Sequence, residues 1–229
     1  MKISIIIPVL NEEATIAVHL QFLKENVTFE NIAEVLIVDG GSDDNSLEIV
    51  KSTDAVLIHS ARGRAKQMNT GAKQATGDIL YFLHADSFPP KGFDQYIIDE
   101  VKKGNPAGCF QMRFDHKHWW LRLASWLTKF RWRACRGGDQ SQFITKQLFD
   151  EIGGYDESYI IYEDNILINE LYKRKQFVVI PQWLTTSSRR YEQVGIWKLQ
   201  YHFWTIYVKK WFGASADDIY RYYLKNIKT

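Results

Sequence analysis

"GRAKQMNTGAKQATGDILYFLHAD" occupies residues 63–86. It reads as a polar helix from Gly63 to Ala75, with Met68 and Ala72 on one side, running into a strand from Ile79 to Leu83. An apolar run of that length without polar alternation is a strand covered on both faces. A helix feeding such a strand is the repeating unit of a parallel sheet. The strand stops at His84-Ala85-Asp86, and Pro89 and Pro90 follow. A carboxylate delivered there can hold a metal, cap a turn or pair with a cation.

Working back toward the amino terminus, the same alternation repeats. Ile3–Val9 and Val35–Val38 are apolar, strand-like runs, and Ala55–His59 is a shorter one. Between them, Glu12–Lys24 has helical spacing through Ile16, Leu20 and Leu23, and Asp43–Lys51 opens on capping residues. The pattern predicts a doubly wound, mostly parallel α/β sheet with helices on both faces, its ligand at the carboxyl ends of the strands. Those ends carry Pro8, Asn11 and Glu12 after the first strand, Asp39-Gly40-Gly41 after the second, and His84 and Asp86 after the fourth. No GxGxxG follows the first strand and no GxxxxGK[ST] occurs, so a dinucleotide fold or a P-loop lacks its phosphate cradle.

Beyond Pro90 the reading changes. Gly92–Lys103 is helical, Gly108–Phe114 strand-like and Trp119–Arg133 an amphipathic helix. Residues 136–145 form a loop entering a strand, an acidic loop feeds a helix from Glu163 to Lys175, Phe177–Pro181 is a final strand, and two helices close the chain. One domain is expected, with a first part over about 1–90, a second over about 91–190 and C-terminal helices over about 191–229.

Composition narrows the class. At 229 residues, 45% hydrophobic and 24% charged, the chain can bury a core without staples. Cys109 and Cys135 fit no metal or disulfide framework and read as reduced thiols of a cytoplasmic protein. The opening "MKISIIIPVLNEE" is too short in its apolar part for a signal peptide or a membrane span. Net charge is only +2, yet 116–138 holds six Lys or Arg and no acid, and 193–216 three lysines and no acid. These two tracts hold seven of the eight tryptophans. Trp119, Leu123, Trp126 and Phe130 share one helical face, and Trp197, Trp204 and Trp211 recur every seven residues. Such seams pack against the domain or a partner chain, or lie on a membrane surface. No RRM or KH pattern accompanies them, and nucleic acid is not an expected partner.

The motifs in order resemble the inverting glycosyltransferases of family 2, which share the GT-A fold. "SIIIPVLNEE" is similar to that family's opening strand, "EVLIVDGGSDDNS" to its nucleotide-binding turn, and residues 63–86 to the segment ending in D-x-D. "GGDQSQFITKQLFDEIGGYDE" and "YEDNIL" are similar to its acceptor loop and catalytic-base segment. "SSRRYEQVGIWK" resembles a short subgroup with a compact C-terminal helical tail. The resemblance covers four-fifths of the chain.

It implies a nucleotide-sugar-binding half over about 1–90, an acceptor half over about 91–190, a nucleotide-sugar donor, a UDP-sugar, and transfer to an unknown hydroxyl or lipid-phosphate acceptor. Pro8, Asn11, Glu12, Asp39, Lys66, Asn69 and Ala85 would line the nucleotide. Asp86, with His84 in place of the first acid of D-x-D, would hold Mn²⁺ or Mg²⁺ on the donor diphosphate. Asp164 would be the catalytic base and Glu163 its support. Gly138, Asp139 and Gln140 would meet sugar or acceptor, and Arg189 and Arg190 the diphosphate. Plainer roles compete: Asp39-Gly40-Gly41 is good turn chemistry, Glu12 suits a first helical turn, and Glu163-Asp164 an acidic one. A nucleotide-sugar-binding protein weak in catalysis and a nucleotidyltransferase are the alternative functions. The expected setting is cytoplasmic, with a membrane surface or a second copy as further partners.

Overall fold

The structure is a computed structural model and describes residues 1–137 and 140–227. Four parallel-paired strands build its first half: β1 (Ile3–Val9), β2 (Ile32–Asp39), β3 (Val56–His59) and β4 (Ile79–Phe82). After them come β5 (Ser87–Phe88), β6 (Ala107–Phe114), β7 (Gln142–Thr145) and β8 (Val178–Thr186). They join one eight-stranded sheet in the order β3-β2-β1-β4-β7-β6-β8-β5. Strand β7 enters antiparallel between β4 and β6, and β5 pairs antiparallel with β8, so the sheet is mostly but not wholly parallel.

Alternation along β1 explains why helices cover both faces. Ile3, Ile5 and Ile7 point into one core with Tyr81 and Phe93, beneath α1 (Ile16–Asn26) and α4 (Phe93–Lys102). Ile6 points into the other with Val38 and Leu80, beneath α3 (Arg64–Gln74), α6 (Lys146–Ile152) and α7 (Glu163–Lys173). Helix α2 (Ser46–Lys51) adds Val50 to the first core. Gly71 lets α3 lie close to the sheet, since a Cβ there would meet Ile6 Cγ2 at 2.6 Å.

Several sequence expectations shift. The first helix begins at Ile16 rather than Glu12, because residues 12–15 form a turn tied to Ser46 and Asp44. The expected helix 119–133 is α5 (Trp119–Leu127) and stops six residues early. The buried Arg136 guanidinium takes the carbonyls of Thr128 and Phe130 at 2.6 and 2.7 Å, which turns the chain away. Three helices close the molecule instead of two: α8 (Arg189–Val194), α9 (Ile196–Trp211) and α10 (Ala216–Asn226).

The seven-residue tryptophan seam is not the packing face of α9. Leu199 and Ile206 are buried, with Leu121, Tyr191 and Ile219, while Trp197, Trp204 and Trp211 are 50%, 48% and 86% exposed. Helix α5 stands where a strand would otherwise continue. Strand β7 covers only Ala107–Cys109 of β6, and beyond it the Ser125 and Thr128 hydroxyls accept the Phe114 and Met112 N–H groups at 3.2 and 2.9 Å.

His19 connects this frame to the rim. It is fully buried on α1, donates Nε2–H to the Ser87 carbonyl at 2.8 Å and has no partner for Nδ1 among the described residues. Burial drives its pKa down from 6.5 to about 4, against the Ser87 hydrogen bond, and His84 adds to the drop. Below pH 6.5 the unfolded chain takes up a proton that the folded protein refuses until about pH 4, so stability falls as pH is lowered through that window. A loss on the order of 3 kcal/mol is expected from this group. Urea unfolding between pH 7 and pH 4 should therefore be about one proton less steep in pH for His19→Leu than for the parent protein.

Candidate active site

The rim forms where β2 and β4 flank β1, the point at which strand order reverses. Pairing of β1 with β4 ends at Ile6 and Phe82, and Pro8, without an N–H to offer, lies just beyond. The loops after β1 and β2 are laced together. Asn11, at φ 57°, accepts the Asp43 N–H on its side chain at 2.9 Å and donates its own N–H to Ser42 Oγ at 3.0 Å. Glu13 accepts from Asn45, and Glu12 N–H reaches Ser46 Oγ at 2.8 Å.

Asp39 closes β2. Its carboxylate, 2% exposed, accepts the N–H groups of Gly41 at 2.9 Å and Ser42 at 3.0 Å, with His59 Nδ1 3.7 Å away. Burial would raise its pKa, but the Ser42 and Gly41 hydrogen bonds and His59 together hold it below the ordinary carboxylate value. The turn role is thus real, and an ionised acceptor stays at the rim. Beneath it Gln67 donates to the carbonyls of Val9 and Val38, both at 2.8 Å, pinning the β1 and β2 ends. A Cβ at Gly40 would stand 2.9 Å from the Gln67 amide, so a larger residue there would push that amide off the two carbonyls.

Across the rim stands the acid pair. Glu163 and Asp164 open α7 after Tyr162, whose φ of 76° is costly for a bulky residue. Arg64, on the first turn of α3, forks between them: Nε binds Glu163, and Nη2 meets Asp164 Oδ2 at 2.6 Å. Burial raises the pKa of fully buried Glu163 and the Asp164 charge adds to it, while Arg64 opposes both.

Between strand end and acid pair lies a cavity of about 10 Å³, walled by His84, Gln140, Ser141, Gln142, Tyr155 and Asp164 among others. Room on that scale suits a single water. Its walls supply buried polar atoms without partners among the described residues: Ser141 Oγ, both amide atoms of Gln142 and Tyr155 Oη, with Glu163 Oε2 likewise. Such atoms mark a place built for a polar guest.

The structure therefore gathers Asp39, His84, Glu163, Asp164 and Gln140 around the rim, with half-buried Asp86 and buried Ala85 on the turn after β4. Glu12 holds Arg189 at 3.3 Å, joining the first loop to α8. Lys66 lies half-buried in the first turn of α3. Two further expected site residues are engaged within the protein. Asn69 gives its amide to the Tyr155 carbonyl and Glu157 and accepts the Tyr155 N–H, all at 2.9 Å, so it braces a loop. Arg190 binds the Tyr223 hydroxyl and lies 5.1 Å from its ring, turned toward α10 and not the rim. Gly138 and Asp139 lie outside the described residues.

Sequence reading did not assign Arg64 to the acid pair or single out Gln67. One signal was present for Arg64: a cation in a helix's first turn opposes the dipole and calls for an anion. As for metal ligands, no cluster of three or more His, Cys, Asp or Glu that could hold an ion occurs among the described residues. The β4 turn offers one carboxylate and one imidazole, which fit a cation that draws its other ligands from a diphosphate.

Residues 4–156 match the model of the family described as Glycosyl transferase family 2. The chain is 24% identical over 204 residues to the undecaprenyl-phosphate 4-deoxy-4-formamido-L-arabinose transferase of Proteus mirabilis (strain HI4320), across 85% of this chain and 59% of that protein. It is 23% identical over 193 residues to the probable glycosyltransferase YdaM of Bacillus subtilis (strain 168), across 73% of this chain and 46% of that one. The chain thus spans about three-fifths or less of these two curated relatives. Staphylococcus aureus TarS 1–349 in complex with UDP superposes with a TM-score of 0.69 at 18% identity, over 82% of this chain and 60% of that one. Glucosyl-3-phosphoglycerate synthase from Mycobacterium tuberculosis, in complex with Mn²⁺, UDP and glucosyl-3-phosphoglycerate, gives 0.61 at 17% identity, over 80% and 70%. At these identities the structural likeness carries the fold.

The Arg64 fork sets an expectation for stability. Removing one partner of a buried ion pair costs about 3–5 kcal/mol. Arg64 is 35% exposed, so part of its charge is solvent-screened, and Arg64→Met should cost nearer 2 kcal/mol. In denaturant unfolding, adding Glu163→Gln to Arg64→Met should recover part of that loss. Strict additivity of the two changes would show that they do not interact.

Proposed function

The chain belongs to glycosyl transferase family 2, with the GT-A fold, and from that premise we propose that it moves a sugar, with inversion, from a UDP-sugar to an acceptor oxygen at the β1–β4 rim. One observation carries the reading: a single cavity has His84, from the end of β4, and Asp164, from the start of α7, in its wall. A donor bound at the strand ends would there present its anomeric carbon to an acceptor beside Asp164. UDP in the TarS complex, and UDP with Mn²⁺ in the synthase complex, support the choice of nucleotide and metal.

In this mechanism Asp39, kept ionised by its turn, accepts a base N–H of the nucleotide. Pro8, Asn11 and Ala85 shape the floor, and Lys66 and Arg189 face the diphosphate. Asp164 takes the acceptor hydroxyl's proton as that oxygen bonds to the anomeric carbon and the bond to UDP breaks. Arg64 fixes the direction of Asp164 and offsets the charge of Glu163 behind it. Asp86 and His84 would hold a Mn²⁺ or Mg²⁺ ion, which neutralises charge on the leaving diphosphate. Gln140 and the 138–139 segment complete the acceptor side. The continuous sheet supports a one-domain arrangement.

The acceptor is a hydroxyl or a lipid phosphate; the Proteus mirabilis relative, named for undecaprenyl phosphate, supports the second. Among the described residues no helix is long and apolar enough to cross a membrane. A cytoplasmic protein that meets the membrane from its surface is the arrangement proposed.

Two measurements test this. UDP should raise the melting temperature in the presence of Mn²⁺, and the shift should vanish in Asp86→Ala. No response to UDP, GDP or CDP, with or without the ion, would remove the donor site. With donor turnover established, Asp164→Asn should cut the rate about 10²–10⁴-fold for a hydroxyl acceptor. An already ionised phosphate needs no base, so a small loss would identify that acceptor class.

A further inference from the structure

We infer that the open groove between α5 and the β6–β8 ladder seats the phosphate of anionic phospholipid headgroups and holds the protein on a negatively charged bilayer surface. The groove encloses about 610 Å³, and its lining includes Arg113, Lys117, Arg122, Lys129, Trp126 and Trp183. No carboxylate is among its described lining residues. Four permanent cations converging on one depression, without acids to neutralise them, complement a phosphate.

Two of those cations are already held in place. Arg113 Nε–H donates to Thr185 Oγ1 at 2.9 Å, which fixes one edge of the guanidinium and leaves its other donors for a ligand. Lys129 Nζ stands 5.4 Å over the Trp183 ring. Ordering of this kind lowers the cost of binding.

The surroundings favour a lipid over a free phosphate. Trp119, Leu123, Trp126 and Trp132, from α5 and the segment after it, are 60%, 38%, 48% and 64% exposed. Soluble phosphate would gain nothing from such rings. A bilayer interface gains from all of them, since tryptophan with flanking Lys and Arg is the side-chain set that lies at headgroup depth. Helix α9 extends the same chemistry: Trp120 Nε1–H bonds Gln200 at 3.1 Å, and the Trp197 ring packs 5.7 Å from Trp119.

The groove is close to the rim along the chain. Past Trp183, strand β8 ends at Thr186, which pairs with Ser87, and the Ser187 N–H reaches the Asp86 carbonyl at 3.2 Å. A headgroup in the groove would therefore bring the rim close to the bilayer. The inference does not rest on transfer chemistry, and its failure would leave that reading intact.

The test is vesicle flotation at low ionic strength, using phosphatidylcholine vesicles with and without phosphatidylglycerol and tryptophan emission as a second readout. Binding is expected only with phosphatidylglycerol, accompanied by a blue shift and weakened by salt. Lys117→Glu with Lys129→Glu should lower the partition about tenfold or more. Trp126→Ala should lower it and Asp164→Asn should not, with circular dichroism confirming that each variant is folded. Equal binding to neutral vesicles, or binding indifferent to the charge reversal, overturns the proposal. So does glycerol phosphate or single-stranded RNA perturbing the tryptophans of a protein that floats with no vesicle.

Discussion

A guanidinium shared between two carboxylates holds the two halves of this molecule in register. Arg64 starts a helix of the parallel half, and Glu163 and Asp164 start a helix about a hundred residues later. Glu163 is fully buried, and without Arg64 its charge would face a low-dielectric interior and the neighbouring Asp164 carboxylate. The same helix carries the neighbouring constraints. Gln67 ties down the ends of β1 and β2, Asn69 braces the loop at Tyr155, and Gly71 lets the helix settle against Ile6. One eleven-residue helix thus sets the spacing between strand ends and acid pair.

That arrangement also explains why polar strain collects on one side. Of the four non-glycine residues at positive φ among the described residues, Asn11, Ser141 and Tyr162 lie on the rim or in the wall of its cavity, and Lys175 follows the far end of α7. Buried atoms without partners among the described residues occur there, at Ser141, Gln142 and Tyr155, and also elsewhere in the core, as at His19 and Asp94. Those at the cavity are placed where a ligand can meet them.

Legibility in the sequence followed the range of the interactions. Strands β1 to β4 were readable within a few residues because each is an unbroken apolar run with its own turn chemistry. The second half was not. Two-residue β5 has too little length to show a period, and β7 gives no sign that it will insert antiparallel between β4 and β6. The end of α5 depends on Arg136, a basic residue like its neighbours until it is seen to be buried. The acid pair was legible as a motif, yet its partner Arg64 was not, because separation in sequence says nothing about contact. The seven-residue recurrence of tryptophans on α9 left its partner open for a different reason: periodicity identifies an apolar stripe, not what covers it, and the core takes Leu199 and Ile206 while the tryptophans stay exposed.

Where α5 takes the place of a missing strand, two hydroxyl oxygens answer β6 amides that would otherwise face outward. A side chain can accept such a bond but cannot extend a ladder. The uncovered length of β6 is therefore closed to recruitment by a foreign strand, in a region dense with β-branched and aromatic neighbours. Ser125 and Thr128 thus serve two elements at once, bonding carbonyls of their own helix while they occupy amides at the edge of the strand.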